Sequence, residues 1–145
     1  MNKKINVISA TDARKGWSQL IDSAVHEKPQ IISRTRDHVL LTDVNLFSDI
    51  LEVYEFTADK YVESDNSVTL SLNEIDLVAN GSTEKEARIK LADEILEYSE
   101  EYYNDFQYWS KIPNRKRHIS YVLKALILQD ANKIGESIVC QPGKN

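Results

Sequence analysis

The feature that most constrains the fold is a long run of apolar side chains at helical spacing in the second half of the chain. The run advances in steps of four, four, three, four, four and three residues through Ala87, Leu91, Ile95, Tyr98, Tyr102, Phe106 and Trp109. An α-helix has about 3.6 residues per turn, so these steps place the whole run on one face. Thr83 and Glu86 form a capping-box pattern before the run, and Pro113 follows it. The sequence therefore predicts one long amphipathic helix that packs on a folded domain.

The segments on either side of this helix predict the rest of that domain. Three β-rich runs, KYVES, SVTLSL and IDLVA, precede the helix within residues 60–79. Turn residues separate these runs, which is typical of a small three-stranded antiparallel sheet. After Pro113, apolar residues at helical spacing predict a C-terminal helix from Asn114 to about Asp130. The final segment, CQPGKN, is expected to be loose.

The front of the chain predicts a second, separate order of elements. Residues 3–8 are expected to form a strand, and Ser9 begins a helix that should stop near Glu27, because Pro29 follows. The apolar stripe of that helix is Ala13, Trp17, Leu20, Ile21 and Ala24. The runs QIIS and HVLLT predict a hairpin, and DVNLFSDILEVYEF predicts a second helix. The sequence thus predicts an α+β protein with a β-α-β-β-α module at residues 1–58 and the helix-bearing module at residues 59–145.

The charge of the chain is divided unevenly, which matters more than its net value of −5. Residues 1–44 hold seven Lys or Arg against five Asp or Glu, and residues 45–108 hold four against sixteen. Residues 109–145 hold seven against two. A basic front can bind nucleic acid even where the whole chain is acidic, so each part is interpreted by its own charge.

Several function classes find no support in the sequence. No apolar run is long enough for a transmembrane helix, and the N-terminal lysines lack the apolar segment of a secretion signal, so a cytoplasmic protein is expected. His26, His38, His118 and Cys140 show no metal-ligand spacing. No glycine-rich phosphate loop occurs, and the carboxylates of the long helix lie on its polar face. We therefore expect neither an enzyme nor a cofactor.

The segment ISATDARKGWSQLID, followed by IISRTRDHVLLT, resembles the start of the Phd/YefM antitoxin family. The shared features are a short strand, a hydroxyl cap at Ser9, the triplet Asp12-Ala13-Arg14 and an arginine, Arg34, at the first turn of the hairpin. The resemblance covers roughly residues 4–55. It implies a homodimer, or a higher homo-oligomer, whose paired N-terminal faces contact operator DNA.

Two arginines carry this expectation, because Arg14 and Arg34 match the arginines of the family's helix and hairpin. Guanidinium groups suit both phosphate oxygens and guanine edges. The other cations that could add sequence-independent phosphate contacts are Lys3, Lys4, Lys15 and Arg36. The alternative is that Arg14 and Arg34 are ordinary surface residues, or that they pair with Asp12 and Asp37.

The segment SVTLSLNEIDLVANGSTEKEARIKLADEILEYSEEY resembles a HicB-type antitoxin domain. The matching parts are a strand pair, the turn Gly81-Ser82-Thr83 and the helix that opens with EKEA. The resemblance covers about residues 60–103. It implies a small αβ domain that sits against a toxin protein and blocks its active site.

Side chains of the long helix that avoid the core stripe are candidates for contacts with that partner. Tyr103 and Tyr108 point away from the stripe, either into a partner or into the last helix. Glu97 and Glu101 belong to a negative surface that would complement an RNA-cleaving, and hence basic, toxin. The alternative is that the basic segment NRKRH folds back on the acidic helix.

Taken together, these patterns predict a type II antitoxin that neutralises its toxin by direct binding and represses its own operon. Two other classes stay open. One is a stand-alone transcriptional regulator whose C-terminal module is a sensor for a small ligand. The other is a nucleic-acid-processing enzyme that would use acids such as Asp65 or Asp76.

Overall fold

The computed structural model describes residues 5–144, which form two compact units that divide between Asp49 and Ile50. The chain is α+β, with one small sheet in each unit. The elements of the first unit are β1 (Val7–Ser9), α1 (Ala10–Lys15), α2 (Trp17–His26), β2 (Gln30–Arg34), β3 (Asp37–Leu41) and α3 (Val44–Ile50). The predicted order of strands and helices is therefore present, although one helix is divided.

The first sheet has the order β1-β2-β3, with β1 parallel to β2 and β2 antiparallel to β3. The hairpin is confirmed, and the pair Arg34 and Asp37 closes it across Thr35 and Arg36. Thr35 has a φ of 53°, in the left-handed region. The predicted first strand extended over residues 3–8; the strand observed within residues 5–144 begins at Val7.

The predicted helix of the first unit begins as expected but does not run through. The Asp12 N–H donates to Ser9 Oγ at 3.1 Å, so Ser9 is the N-cap. A bend at Gly16, with φ −114° and ψ 40°, divides the helix into α1 and α2. Glycine weakens a helix interior because it gains no side-chain contacts and loses much backbone freedom. The second predicted helix is also shorter, because α3 passes into a 3₁₀ turn at Leu51–Val53.

The second unit contains a larger sheet and a helical layer. Its elements after the 3₁₀ turn are β4 (Thr57–Val62), β5 (Val68–Leu72), β6 (Val78–Gly81), α4 (Glu84–Asn104), α5 (Phe106–Trp109), α6 (Pro113–Lys116), α7 (Ile119–Leu128), α8 (Ala131–Ser137) and β7 (Val139–Pro142). The strand order is β6-β5-β4-β7. β4, β5 and β6 are antiparallel neighbours, and β7 is parallel to β4.

Two predictions for this unit are wrong in their extent. The sheet has four strands, not three, and residues 140–142 of the segment predicted to be loose belong to β7, where Cys140 pairs with Ala58. The predicted single helix from Asn114 to about Asp130 is two helices, α6 and α7, and α8 follows it as an additional helix. The extra elements are held by burial, since Ile134 of α8 and Ile138, which follows it, are both in the core.

The long helix α4 is confirmed at its start and ends earlier than predicted. The Glu86 N–H donates to Thr83 Oγ1 at 3.1 Å, which caps the helix. The helix breaks at Asp105, so Phe106 and Trp109 of the predicted stripe lie in the separate α5. Asn and Asp favour such breaks because their side chains compete for backbone hydrogen bonds. Of the rest of the stripe, Leu91 and Ile95 are fully buried in the core with residues of the sheet, and Tyr98 and Tyr102 contact the segment before α7.

Arg88 joins the long helix to the C-terminal elements. Its Nη1 donates to the carbonyl oxygens of Gly135 at 2.9 Å and of Ile138 at 2.6 Å. Its Nε lies 3.5 Å from Glu84. The guanidinium therefore donates to carbonyl groups at the end of α8, where the Gly135 oxygen otherwise accepts a long 3.4 Å hydrogen bond from the Ile138 N–H.

Candidate functional site

A groove of about 760 Å³ on the first unit is bordered by both of the arginines that the sequence singled out. Its lining residues are Ala10, Ala13, Arg14, Trp17, Ile32, Arg34, Asp37 and Val39. Arg14 comes from the last turn of α1, and Arg34 is the last residue of β2. The turn of the hairpin and the end of the first helix thus place two cations beside one concave surface.

The two arginines differ in their partners. Arg34 Nη2 lies 3.2 Å from Asp37 Oδ2, so the pairing that was the alternative for Arg34 is present. Both side chains are exposed, and exposed pairs of this kind contribute at most about 1 kcal/mol. Across residues 5–144, no ion pair joins Arg14 to Asp12. Arg34 could therefore exchange its carboxylate for a phosphate at small cost.

The remaining predicted DNA contacts lie away from this groove. Lys15 is exposed at the end of α1, and Arg36 is exposed at the tip of the hairpin. Neither residue lines the groove. Lys4, like Lys3, lies outside the described residues.

The surface of this groove is mainly apolar, which a folded monomer would normally hide. Trp17 is 52% exposed and Val39 is 58% exposed, whereas the sequence placed Trp17 in the core stripe. Of the described residues of the first unit, the buried ones are Ala13, Leu20 and Ala24. Exposed apolar patches beside so small a core are typical of surfaces that a second protein surface covers.

The acidic side of α4 is a second candidate surface. Its exposed carboxylates in the last three turns are Asp93, Glu94, Glu97, Glu100 and Glu101. In the first turns, by contrast, Glu84 pairs with Lys60 and Arg88, and Glu86 pairs with Lys90 at 3.0 Å. Within the described part of the chain, no cation lies within salt-bridge distance of the five later carboxylates. This half of the helix therefore presents uncompensated negative charge.

The four predicted partner contacts do not form a single patch. Glu97 and Glu101 are one turn apart and share a side of α4. Tyr103 is 58% exposed but lies roughly 200° around the helix from Glu101, because successive residues turn by about 100°. Tyr108 is 57% exposed on α5, where its ring packs edge-on against Trp109 at 5.0 Å. Two tyrosines and two carboxylates thus face different directions.

The basic segment before α7 does not form salt bridges with the acidic helix. Arg115 instead donates through Nη1 to Tyr98 Oη at 2.9 Å, and its guanidinium lies over the rings of Tyr98 and Trp109. Its carbonyl oxygen accepts a 2.9 Å hydrogen bond from the Tyr102 hydroxyl. The segment therefore packs on α4 through aromatic contacts and hydrogen bonds, and its positive charges are not neutralised by carboxylates of α4.

Beside this contact is a cleft of about 550 Å³ that sequence reasoning missed. Its charged and titratable lining groups include Glu74, Asp76, Glu101, Arg115, Arg117 and His118. These residues come from the β5–β6 turn, from α4 and from the segment before α7. No spacing along the chain links these three segments, so only the folded structure brings them together.

His118 is a buried titratable group of this cleft, since only 5% of its surface is exposed. Its Nδ1 lies 2.6 Å from Tyr98 Oη, which also accepts from Arg115. In the tautomer in which the Tyr98 hydroxyl donates to Nδ1, the proton of the neutral imidazole is on Nε2. Burial, with the nearby charges of Arg115 and Arg117, lowers the pKa of His118 and keeps the ring neutral.

Asp65, one of the acids that the sequence raised as a catalytic candidate, has a structural role in a turn. Asp65 Oδ1 accepts the Ser67 N–H at 2.9 Å in the β4–β5 turn, and hydrogen bonds to Ser67 lower the pKa of Asp65. For the residues that are described, no cluster of His, Cys, Asp and Glu could hold a metal ion. No helix among them is long and apolar enough to cross a membrane.

Comparisons with known proteins extend over both units. The family model PHD_like, described as an antitoxin of toxin-antitoxin, RelE/RelB, TA system, matches residues 1–140. A crystal structure from Syntrophomonas wolfei subsp. wolfei, described as an antitoxin part of a proposed toxin/antitoxin system, is 32% identical in sequence. That match covers 96% of this chain and 100% of that chain, with a TM-score of 0.89. No curated protein gives a significant match.

Proposed function

This chain belongs to the PHD-like family of antitoxins from toxin–antitoxin systems, and from that premise we propose a division of labour between its two units. The second unit binds and neutralises a basic, RNA-targeting toxin protein. The first unit dimerises and binds operator DNA, so that the antitoxin represses its own operon. The uncompensated acidic side of α4 is the observation that carries the toxin-binding part of this proposal.

That acidic side is costly for the isolated antitoxin. Carboxylates one turn apart, such as Glu97 and Glu101, repel each other. They also lie toward the C-terminal end of α4, where the helix dipole is unfavourable for negative charge. A basic partner would relieve both effects. Complementary charge would also speed the encounter of the two proteins.

The test uses the product of the open reading frame next to the antitoxin gene, purified with the full-length antitoxin. Replacing Glu97 and Glu101 by Gln together should slow association severalfold at low salt and reduce inhibition of the toxin's RNA cleavage. The matched control is the double variant Glu52→Gln with Glu63→Gln, which also removes two exposed charges from the second unit, outside α4. Equal association rates for the two variants would remove α4 from the toxin interface.

We propose that Tyr103 and Tyr108 bind the toxin at sites separate from this acidic side. Both are exposed aromatic residues, and such residues supply large contact area at interfaces. Because they face other directions, Tyr103→Ala and Tyr108→Ala should speed dissociation without changing the salt dependence of association. Dissociation rates equal to wild type would show that neither tyrosine is part of the interface.

For DNA binding, the groove of the first unit supplies the support. Its exposed Trp17 and Val39 favour pairing with a second copy, because pairing would remove their apolar surface from water. Pairing two copies would double the set of arginines and give a two-fold surface suited to a two-fold operator. Arg14 and Arg34 are proposed to contact the duplex, with Lys15, Arg36 and Lys4 adding phosphate contacts.

A salt titration of operator binding tests this assignment. Each phosphate contact that is lost should reduce the slope of log affinity against log salt by about 0.9. Arg14→Ala should therefore weaken binding to the operon's promoter and flatten this slope while the protein stays dimeric by sedimentation. Lys28→Ala, which removes an exposed charge beyond α2, is the matched control. An Arg14→Ala slope equal to that of the control would contradict the assignment.

A further inference from the structure

The cleft of the second unit holds opposite charges that do not neutralise each other. Its lining includes the carboxylates of Asp76 and Glu101 and, from the segment before α7, the side chains of Arg115, Arg117 and His118. In the part of the chain that the structure describes, no nitrogen of these cations lies within 4.0 Å of these carboxylates. Arg117 has a long, exposed side chain, and Asp76 is exposed in the β5–β6 turn, so both can contact a bound ligand. The carboxylates and the cations of the cleft are therefore both free to bind a ligand.

Glu74 and Arg115 of the cleft already have partners within the protein, and these contacts hold the segments around the cleft in place. Glu74 accepts hydrogen bonds from the backbone N–H and the hydroxyl of Thr57, so it holds the β5–β6 turn against β4. Arg115 is fixed between Tyr98 and Trp109. The described structure gives no hydrogen-bond partner to the side chains of Asp76, Glu101 or Arg117, nor to Nε2 of His118. Two free carboxylates and two free donors thus line a site whose frame is fixed.

We propose that this cleft binds a small zwitterion of the amino-acid class, with its carboxylate toward Arg117 and His118 and its ammonium toward Asp76 and Glu101. A volume of about 550 Å³ is within the range of small-molecule sites and exceeds what a single ion needs. A ligand with one charge would be attracted by the side chains of opposite charge and repelled by those of like charge. A zwitterion satisfies both, and each contact is a charge-assisted hydrogen bond.

The neutral state of His118 suits this role. In the tautomer in which Nδ1 accepts from the Tyr98 hydroxyl, the ring offers an N–H donor from Nε2. A neutral donor can bind a carboxylate without adding another buried cation to the Arg115 side of the cleft. This site shares Glu101 with the proposed toxin-binding side of α4 but has no residue in common with the proposed DNA-binding surface, and it would make the second unit a sensor of its ligand.

The test is NMR spectroscopy of the full-length protein with the standard L-amino acids, each up to about 10 mM, where even a millimolar site is mostly filled. The indole N–H of Trp109 reports on the cleft, and that of Trp17, in the first unit, is the internal reference. We expect one or a few amino acids to shift the Trp109 signal alone. Their N-acetyl and amide derivatives, which each lack one charge, should bind at least about tenfold more weakly.

Substitutions test the acidic and the basic side chains of the cleft one at a time, with controls for general charge effects. Asp76→Asn and Arg117→Gln should each weaken binding at least about tenfold, which corresponds to about 1.4 kcal/mol. The controls are Asp93→Asn on α4 and Lys116→Gln beside Arg117, which make matched charge changes outside the cleft. They should bind like wild type.

Four results would overturn the proposal: no amino acid shifts Trp109; the singly charged derivatives bind as well as the parent; inorganic phosphate alone produces the shift; or the Asp76 and Arg117 variants match the controls. None of these results would bear on toxin neutralisation, since the acidic side of α4 is tested with the toxin itself.

Discussion

Replacing Arg88 by Ala should destabilise the second unit more than any other change to a charged residue of α4. The side chain donates to two carbonyl groups, of Gly135 at 2.9 Å and of Ile138 at 2.6 Å. It is mostly buried, and it is the polar link between α4 and the C-terminal elements α8 and β7. Without it, both carbonyls lose a charged donor in a partly buried setting.

The size of the effect follows from these two bonds. Hydrogen bonds to charged groups each contribute about 1.5–3 kcal/mol, and the exposed Glu84 contact adds little. We expect the free energy of unfolding to fall by about 3 kcal/mol. For a unit of this size, the melting temperature should then drop by more than about 10 °C. Arg88→Lys should cost an intermediate amount, because an ammonium lacks the planar fork.

Urea denaturation and amide hydrogen exchange provide the assay. The control is Lys90→Ala, which removes an exposed pair with Glu86 on the same helix and should cost less than about 0.5 kcal/mol. In Arg88→Ala, the rates of amide hydrogen exchange should increase most in β7 and α8. If Arg88→Ala and Lys90→Ala destabilise the protein equally, water satisfies the two carbonyls and the guanidinium clamp is not a source of stability.

Three further predictions address other parts of the fold. Gly81→Ala should destabilise the second unit by several kcal/mol in chemical denaturation, because an added Cβ would lie 2.5 Å from the Ala87 backbone nitrogen. Hydrogen bonds from Ser82 and the Lys90 charge lower the pKa of Glu86 to about 2. Its stabilising contribution should therefore be complete above about pH 5 and be lost as the pH falls toward 2, which a carboxyl NMR titration would follow. Thr35→Gly should raise the melting temperature of the first unit slightly, because glycine relieves the left-handed backbone at that position.

Local patterns determined the parts of the fold that the sequence predicted well. The start of α4 follows from Thr83 and Glu86, which act within one turn, and its buried face follows from helical spacing. The hairpin follows from two β-rich runs around a short polar turn. In both cases the interacting residues are close in the chain, so their pattern is visible before folding.

The elements that sequence reasoning missed depend on distant contacts. The segment of β7 contains Gln141 and Pro142 and shows no alternation, so it becomes a strand only because β4 offers it an edge. α8 likewise depends on burial of Ile134 and on the donor groups of Arg88. The break of α4 at Asp105 had a local signal in Asn104-Asp105, which the continuous apolar stripe obscured.

The candidate sites divide in the same way. Arg14 and Arg34 could be chosen from a motif, but that they border one groove, and that Asp37 pairs with Arg34, required the fold. Helical geometry alone separates Tyr103 from Glu101, so that division could have been predicted. The cleft around His118 could not, because it joins three segments whose proximity only the packing of α4 on the sheet determines.

The charge distribution leads to one expectation about how the two proposed activities influence each other. Residues 45–108 hold sixteen Asp or Glu against four Lys or Arg, and this negative charge opposes binding of the chain to DNA. A basic toxin on the acidic side of α4 would neutralise part of it, so toxin binding should strengthen operator binding. The effect should be largest near 0.01 M salt, where the screening length is about 30 Å, and vanish near 1 M, where it is about 3 Å. Fluorescence anisotropy of operator DNA with and without toxin measures it, and an enhancement that persists at high salt would mean that contacts, not charge, couple the two activities.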